Sequence, residues 1–133
     1  MATLKTNTLT GTSTAGSIAV TGEGNSTTTN LQQGLLKAWL NFNGTGTVAT
    51  RDSFNITGIT DNGTGNYSIT IANDMANDTY IVVSNGARNE DGVHGIRDAE
   101  MTTTLYKCLV HAYDGSTDFD SDSVYTGVAG DLA

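Results

Sequence analysis

A chain of 133 residues with 6 basic and 14 acidic side chains, net charge −8, offers nothing to a nucleic-acid backbone. Its cations, Lys5, Lys37, Arg51, Arg88, Arg97 and Lys107, are scattered and form no basic stripe. With 37% apolar and 15% charged residues, the remainder filled by Thr, Ser, Asn and Gly, it reads as one folded, polar-surfaced domain and not as a disordered polyelectrolyte.

The first thirty residues, "MATLKTNTLTGTSTAGSIAVTGEGNSTTTN", hold few apolar anchors: Leu4, Leu9, Ile18 and Val20. They cannot build a core of their own. Their Thr and β-branched content favours extended chain, either added as strand to a neighbouring subunit or left as a loose tail. No apolar h-region opens the sequence and no run is long enough to span a bilayer. Neither a signal peptide nor membrane insertion is expected, and work outside a cell would follow lysis or carriage within a particle. Gly22-Glu23-Gly24 lacks the Gly-Lys-Ser/Thr that would make it a phosphate loop.

"TTNLQQGLLKAW" comes next. Thr29 and Gln32 match a capping box, and Leu31, Leu35 and Leu36 follow at helical spacing. The pattern predicts one short helix over Asn30 to Lys37, weakened by about 1 kcal/mol at Gly34. So short a helix does not stand alone in water. Its leucines either cover the following domain or meet their copies around a symmetry axis, which makes Leu31, Leu35 and Leu36 the candidate oligomer contacts. The expected organisation is an assembly arm, residues 1–36, before a β-domain, residues 37–133.

From Ala38 the period changes to two. "AWLNF" places Ala38, Leu40 and Phe42 on one face, and Asn43-Gly44 predicts a tight type I′ turn. "TVATRDSFNI" follows with Val48, Phe54 and Ile56 facing inward. Asp61-Asn62-Gly63 turns the chain again into "YSITI", with Tyr67, Ile69 and Ile71 inside and Ser68 and Thr70 outside. "TYIVVSNGAR" is a further strand. "NEDGVHGIRDAE" is aperiodic and reads as a long exposed loop. "TTTLYKCLVHAY" is the longest strand, facing inward through Tyr106, Cys108, Val110 and Ala112 or through Leu105 and Leu109. "DGSTDFDSDS" is a second loop and "VYTGVAG" a closing strand. Roughly six or seven short strands at regular turn spacing give the fold class: an all-β, small antiparallel β-sandwich or jelly-roll-like domain. The absence of proline suits pairing throughout.

Candidate chemistry is sparse. Asp118, Asp120 and Asp122 have the alternate spacing that opens a calcium loop, but Ser123 stands where glycine belongs and Ala129 where Glu belongs, so a solvated acidic loop is expected. Cys108, the single cysteine, excludes an intrachain disulfide and reads as a small buried hydrophobe. His94 in a loop and His111 at a strand end lack second ligands, and no serine sits in a nucleophile elbow. No enzyme, no metal and no cofactor is expected. Asn-x-Ser/Thr acceptors, such as Asn25 and Asn66, follow from composition and carry no glycosylation argument. Trp39 is expected in the core or a subunit contact. The segments Ser84 to Glu100 and Asp114 to Ser123 are the candidate display loops, with His94, Tyr113 and Tyr125 as candidate display residues and carbohydrate contact through the tyrosines as a reading.

"KAWLNFNGTGTVATRDSFNITGITDNGTGNYSITI", Lys37 to Ile71, resembles a module of structural proteins of tailed phages, especially those infecting marine and freshwater bacteria such as cyanobacteria. The lead-in from Val20 is similar too. The resemblance implies a virion structural protein, often trimeric, with a β-rich tip: a short tail fibre or fibre-like component contributing to host attachment. Its implied partners are itself as a homotrimer, other virion proteins and a host-surface glycan, and its location is the virion. Capsid decoration or a head fibre is the alternative, and a free carbohydrate-binding module stands outside both.

Overall fold

The computed structural model describes residues 3–12, 18–87, 92–96, 100–112 and 117–133. The chain forms two compact units, Met1–Leu35 and Leu36–Ala133.

In the first unit, β1 (Ala19–Thr21) pairs antiparallel with β2 (Thr28–Asn30), from Ala19↔Asn30 to Thr21↔Thr28. Asn25, at φ 56°, turns the hairpin. All six strand residues are exposed. The helix expected over Asn30 to Lys37 is not formed: residues 31–35 make turns. Thr29 is committed to β2, so it cannot cap. Asn30 takes the role instead, its Oδ1 accepting from Gln33 N at 3.2 Å and its carbonyl from Gly34 N at 3.2 Å. One turn is all that Gly34 and the short segment sustain.

The second unit is a sandwich of two four-stranded antiparallel sheets. One sheet has the order β4-β3-β10-β7, with β3 Ala38–Asn43, β4 Ala49–Phe54, β7 Ile81–Ala87 and β10 Ser123–Ala129. The other has the order β5-β6-β9-β8, with β5 Ile56–Asp61, β6 Asn66–Ile71, β8 Gly92–Ile96 and β9 Leu105–Ala112. Alternation puts Ala38, Leu40, Phe42, Val124 and Val128 of the first sheet against Tyr67, Ile69, Ile71, Tyr106, Cys108 and Val110 of the second in one core. Thus β9 faces inward through Tyr106, not through Leu105.

Side chains of the two layers meet across this core. The Phe42 and Tyr67 rings meet edge to face, centroids 5.0 Å apart. The Tyr106 hydroxyl and Thr126 Oγ1, both buried, lie 2.6 Å apart, so the core's hydroxyls satisfy each other. Phe54 departs from expectation. It pairs with Trp39, whose neighbours Ala38 and Leu40 take the inner positions, so Phe54 faces outward and is 54% exposed. Asn55, at φ 57°, then turns the chain from β4 in one sheet to β5 in the other. Ser68, expected outside, is shielded and accepts from Asn62 Nδ2 at 2.8 Å.

Four buried groups tie stability to alkaline pH. Burial first of all raises the phenols of Tyr67 and Tyr106 well above 10.0, Tyr80 to about 12 and the Cys108 thiol from 9.0 to about 12. The unfolded chain loses these protons first. Their contribution is therefore complete below pH 9 and falls as the pH rises towards the folded values, by about 1.4 kcal/mol per pH unit for each group titrating. Urea unfolding at stepped pH should show stability falling steeply above pH 10.0, the ordinary tyrosine value; a flat profile to pH 12 would contradict the burial of these groups.

Candidate functional site

The two copies of Asn-Gly-Thr-Gly meet at one end of the sandwich. Asn43 does not form the expected two-residue I′ turn. Its Oδ1 accepts from Thr45 N at 3.2 Å and Thr45 Oγ1 at 2.8 Å, and Gly46, at φ 65°, turns a longer connection. That frees Gly44 N to donate to Ser121 O at 2.8 Å. Gly44 is buried against the Tyr67 hydroxyl, where any Cβ would overlap it. In the second copy, Gly65 N donates to Asp120 Oδ1 at 2.8 Å, and Gly65 O accepts from Val110 N at 2.8 Å.

Tyr67 closes the junction. Its hydroxyl reaches Asp120 Oδ1 at 2.8 Å and Gly44 O at 3.2 Å, and burial, followed by the Asp120 carboxylate, raises its pKa. The middle carboxylate of the acidic run is thus an acceptor holding two turns together. Among the described residues, no group of three or more His, Cys, Asp or Glu side chains is placed to hold a metal ion. The chemistry the described residues offer here is hydrogen bonding that fixes loop shape.

A second feature lies on the outer face of the β4-β3-β10-β7 sheet. Phe54, Trp39, Gly127 and Val83 stand directly opposite one another across all four strands. Ile81 flanks this row on β7, and Leu36 lies over Gly127, whose Cβ position is 3.5 Å from Leu36 Cδ2 and 3.2 Å from Val83 Cγ2. The next row reads Asp52, Asn41, Tyr125 and Asn85. Phe54, Ile81, Val83, Tyr125 and Leu36 are the exposed large apolar side chains of this unit among the described residues, and all lie on this side. The opposite sheet presents Thr60, Ser68 and Lys107 in register, with Lys107 paired to Glu100.

The candidate residues separate accordingly. Leu31 is half-buried and Leu35 exposed, both in the turns of the first unit, while Leu36 belongs to the second. His94 is not in a loop: it lies in β8, paired with Val110. The segment around it had no period of its own to read, and its strand is set by the long partner β9. Tyr113 lies outside the described residues. Tyr125 is 41% exposed in β10, a strand rather than a loop. Trp39 lies on the outer side of β3, half-buried beside Phe54, and not among the core residues. The outer row depends on the registers of three strand pairs, which no local pattern encodes.

These features define an all-β sandwich protein with a hydrogen-bonded loop junction and one apolar outer face. Comparison with protein-family models, with curated proteins and with solved structures finds no match.

Proposed function

We propose that this chain is a structural protein of a tailed-phage virion, a short tail fibre or fibre-like component that contributes to host attachment. The observation that carries the reading is the first unit. Its strands are wholly exposed, and Leu4, Leu9, Val20 and Leu35 are open to solvent. Such a segment gains its burial from other chains, which is how an assembly arm works. The resemblance of Val20 to Ile71 to tailed-phage modules supports the same conclusion. Self-association as a homotrimer and contact with other virion proteins follow from it, and the sandwich is the part presented outward.

Immunogold labelling of purified particles with antibody to this chain tests the proposal. Label at the tail tip is the expected result. Label spread over the head would make the chain a capsid decoration or head fibre, and unlabelled particles would remove the virion reading.

A further inference from the structure

We propose that the outer face of the β4-β3-β10-β7 sheet is the surface on which a second copy of this chain docks, sheet against sheet. The inference deepens the assembly reading above and rests on it for self-association; it moves the main contact from the leucines of the turn segment to the sandwich.

Area is the first argument. With Phe54 54%, Ile81 64%, Val83 59%, Leu36 52% and Tyr125 41% exposed, these side chains leave about 500 Å² uncovered, near the upper end of the ~300–600 Å² patch of a typical monomer. A stable interface takes about 800 Å² from each partner. The neighbouring row of Asp52, Asn41 and Asn85 supplies the polar rim that completes such an area.

Charge selects the occupant. Two chains of net charge −8 repel wherever their acidic surfaces meet. The row Phe54, Trp39, Gly127 and Val83 carries no charge, so it is where copies approach without that penalty. At its edge β4 sets Asp52 beside Arg51, whose guanidinium reaches across to Ser123 Oγ at 2.6 Å. A cation and an anion side by side on one patch can pair with the opposite charges of a second copy. Flat faces of alternating side chains are what stacked sheets interdigitate.

The test is the solution mass of the full chain by sedimentation over a concentration series, for wild type and for Val83→Lys and Phe54→Lys. Both side chains are exposed on edge strands, and near-UV circular dichroism checks that each variant keeps its core. Thr60→Lys on the other sheet is the control for added charge. Self-association weakened about a hundredfold or more by either folded variant, and unchanged in the control, is the expected result. If wild type stays a single chain at ~0.2 mM, above the micromolar dissociation constants of weak interfaces, the inference is overturned. It is equally overturned if both variants associate as wild type does. Particles that label with antibody while the purified chain stays single would sink this inference and leave the virion reading standing; the reverse pattern would do the opposite.

Discussion

Gly65→Ala is expected to destabilise the sandwich by about 3 kcal/mol, and Gly46→Ala by about 1, although the two glycines share nearly the same backbone angle, φ 66° and 65°. The shared part is the strain of a left-handed conformation for a residue with a Cβ. The difference is space. A Cβ on Gly46 meets nothing within 4 Å. A Cβ on Gly65 overlaps the Val110 carbonyl oxygen and stands 3.0 Å from Phe119 O, and both are backbone atoms. Neither can swing aside, because Val110 N holds Gly65 O at 2.8 Å while Phe119 N holds Val110 O at 3.2 Å. Relief would have to come from moving the turn, which breaks the bond from Gly65 N to Asp120 at 2.8 Å. For a domain of this size the larger loss lowers Tm by about 15 °C and the smaller by about 5 °C. Urea midpoints with unchanged slopes would establish both values, and equal losses at the two sites would show that the close approach at Gly65 does not govern stability.

The two turns also show what the sequence could and could not disclose. Asn-Gly-Thr-Gly marks a reversal by composition alone, and both reversals are where the spelling puts them. That the first glycine of one copy bonds to Ser121 and the last of the other to its neighbour Asp120 was not readable. The partner, Asp120, lies 55 residues beyond Gly65 and 53 beyond Tyr67, and it looked like one carboxylate among several in a solvated loop. Strand interiors were legible for a simpler reason. Ala38, Leu40 and Phe42, or Tyr67, Ile69 and Ile71, alternate with polar residues over a single strand, and burial follows alternation directly. The alternation failed at Phe54, where Asn55 resets the chain and the register to Trp39 decides the face. The helix expected at Leu31 to Leu36 failed because helical spacing is a local signal and the hairpin ending at Asn30 is a competing one. The apolar outer row shares both difficulties: its members come from four strands, and none of them is adjacent in sequence.

Asn55→Ala is expected to cost about 3 kcal/mol, although the residue lies between strands and is only half-buried. This asparagine makes the whole corner between the two sheets. Its φ of 57° turns the chain in a single residue, a conformation asparagine tolerates better than alanine. Its Nδ2 donates to Lys37 O at 2.9 Å and to Asn73 O at 3.3 Å, and its Oδ1 accepts from Asn73 N at 2.7 Å and Asn73 Nδ2 at 2.9 Å. The entry to β3 and the exit from β6 are thereby fastened to the same side chain. Two further substitutions separate the contributions. Asn55→Gly restores the backbone freedom and no hydrogen bond, so it should recover about 1 kcal/mol of the loss. Asn55→Asp keeps the acceptor but turns a carboxylate oxygen towards the Lys37 and Asn73 carbonyls. At neutral pH it should be no better than alanine. Facing two carbonyl oxygens raises the carboxyl's folded pKa above its unfolded value. Its penalty is therefore present at neutral pH and relieved as the pH falls through the folded value, when the protonated group can donate. Thermal melts of the three variants at neutral and mildly acidic pH decide the matter: an Asn55→Asp protein as stable as wild type at pH 7 would mean that the amide hydrogens do not hold the corner.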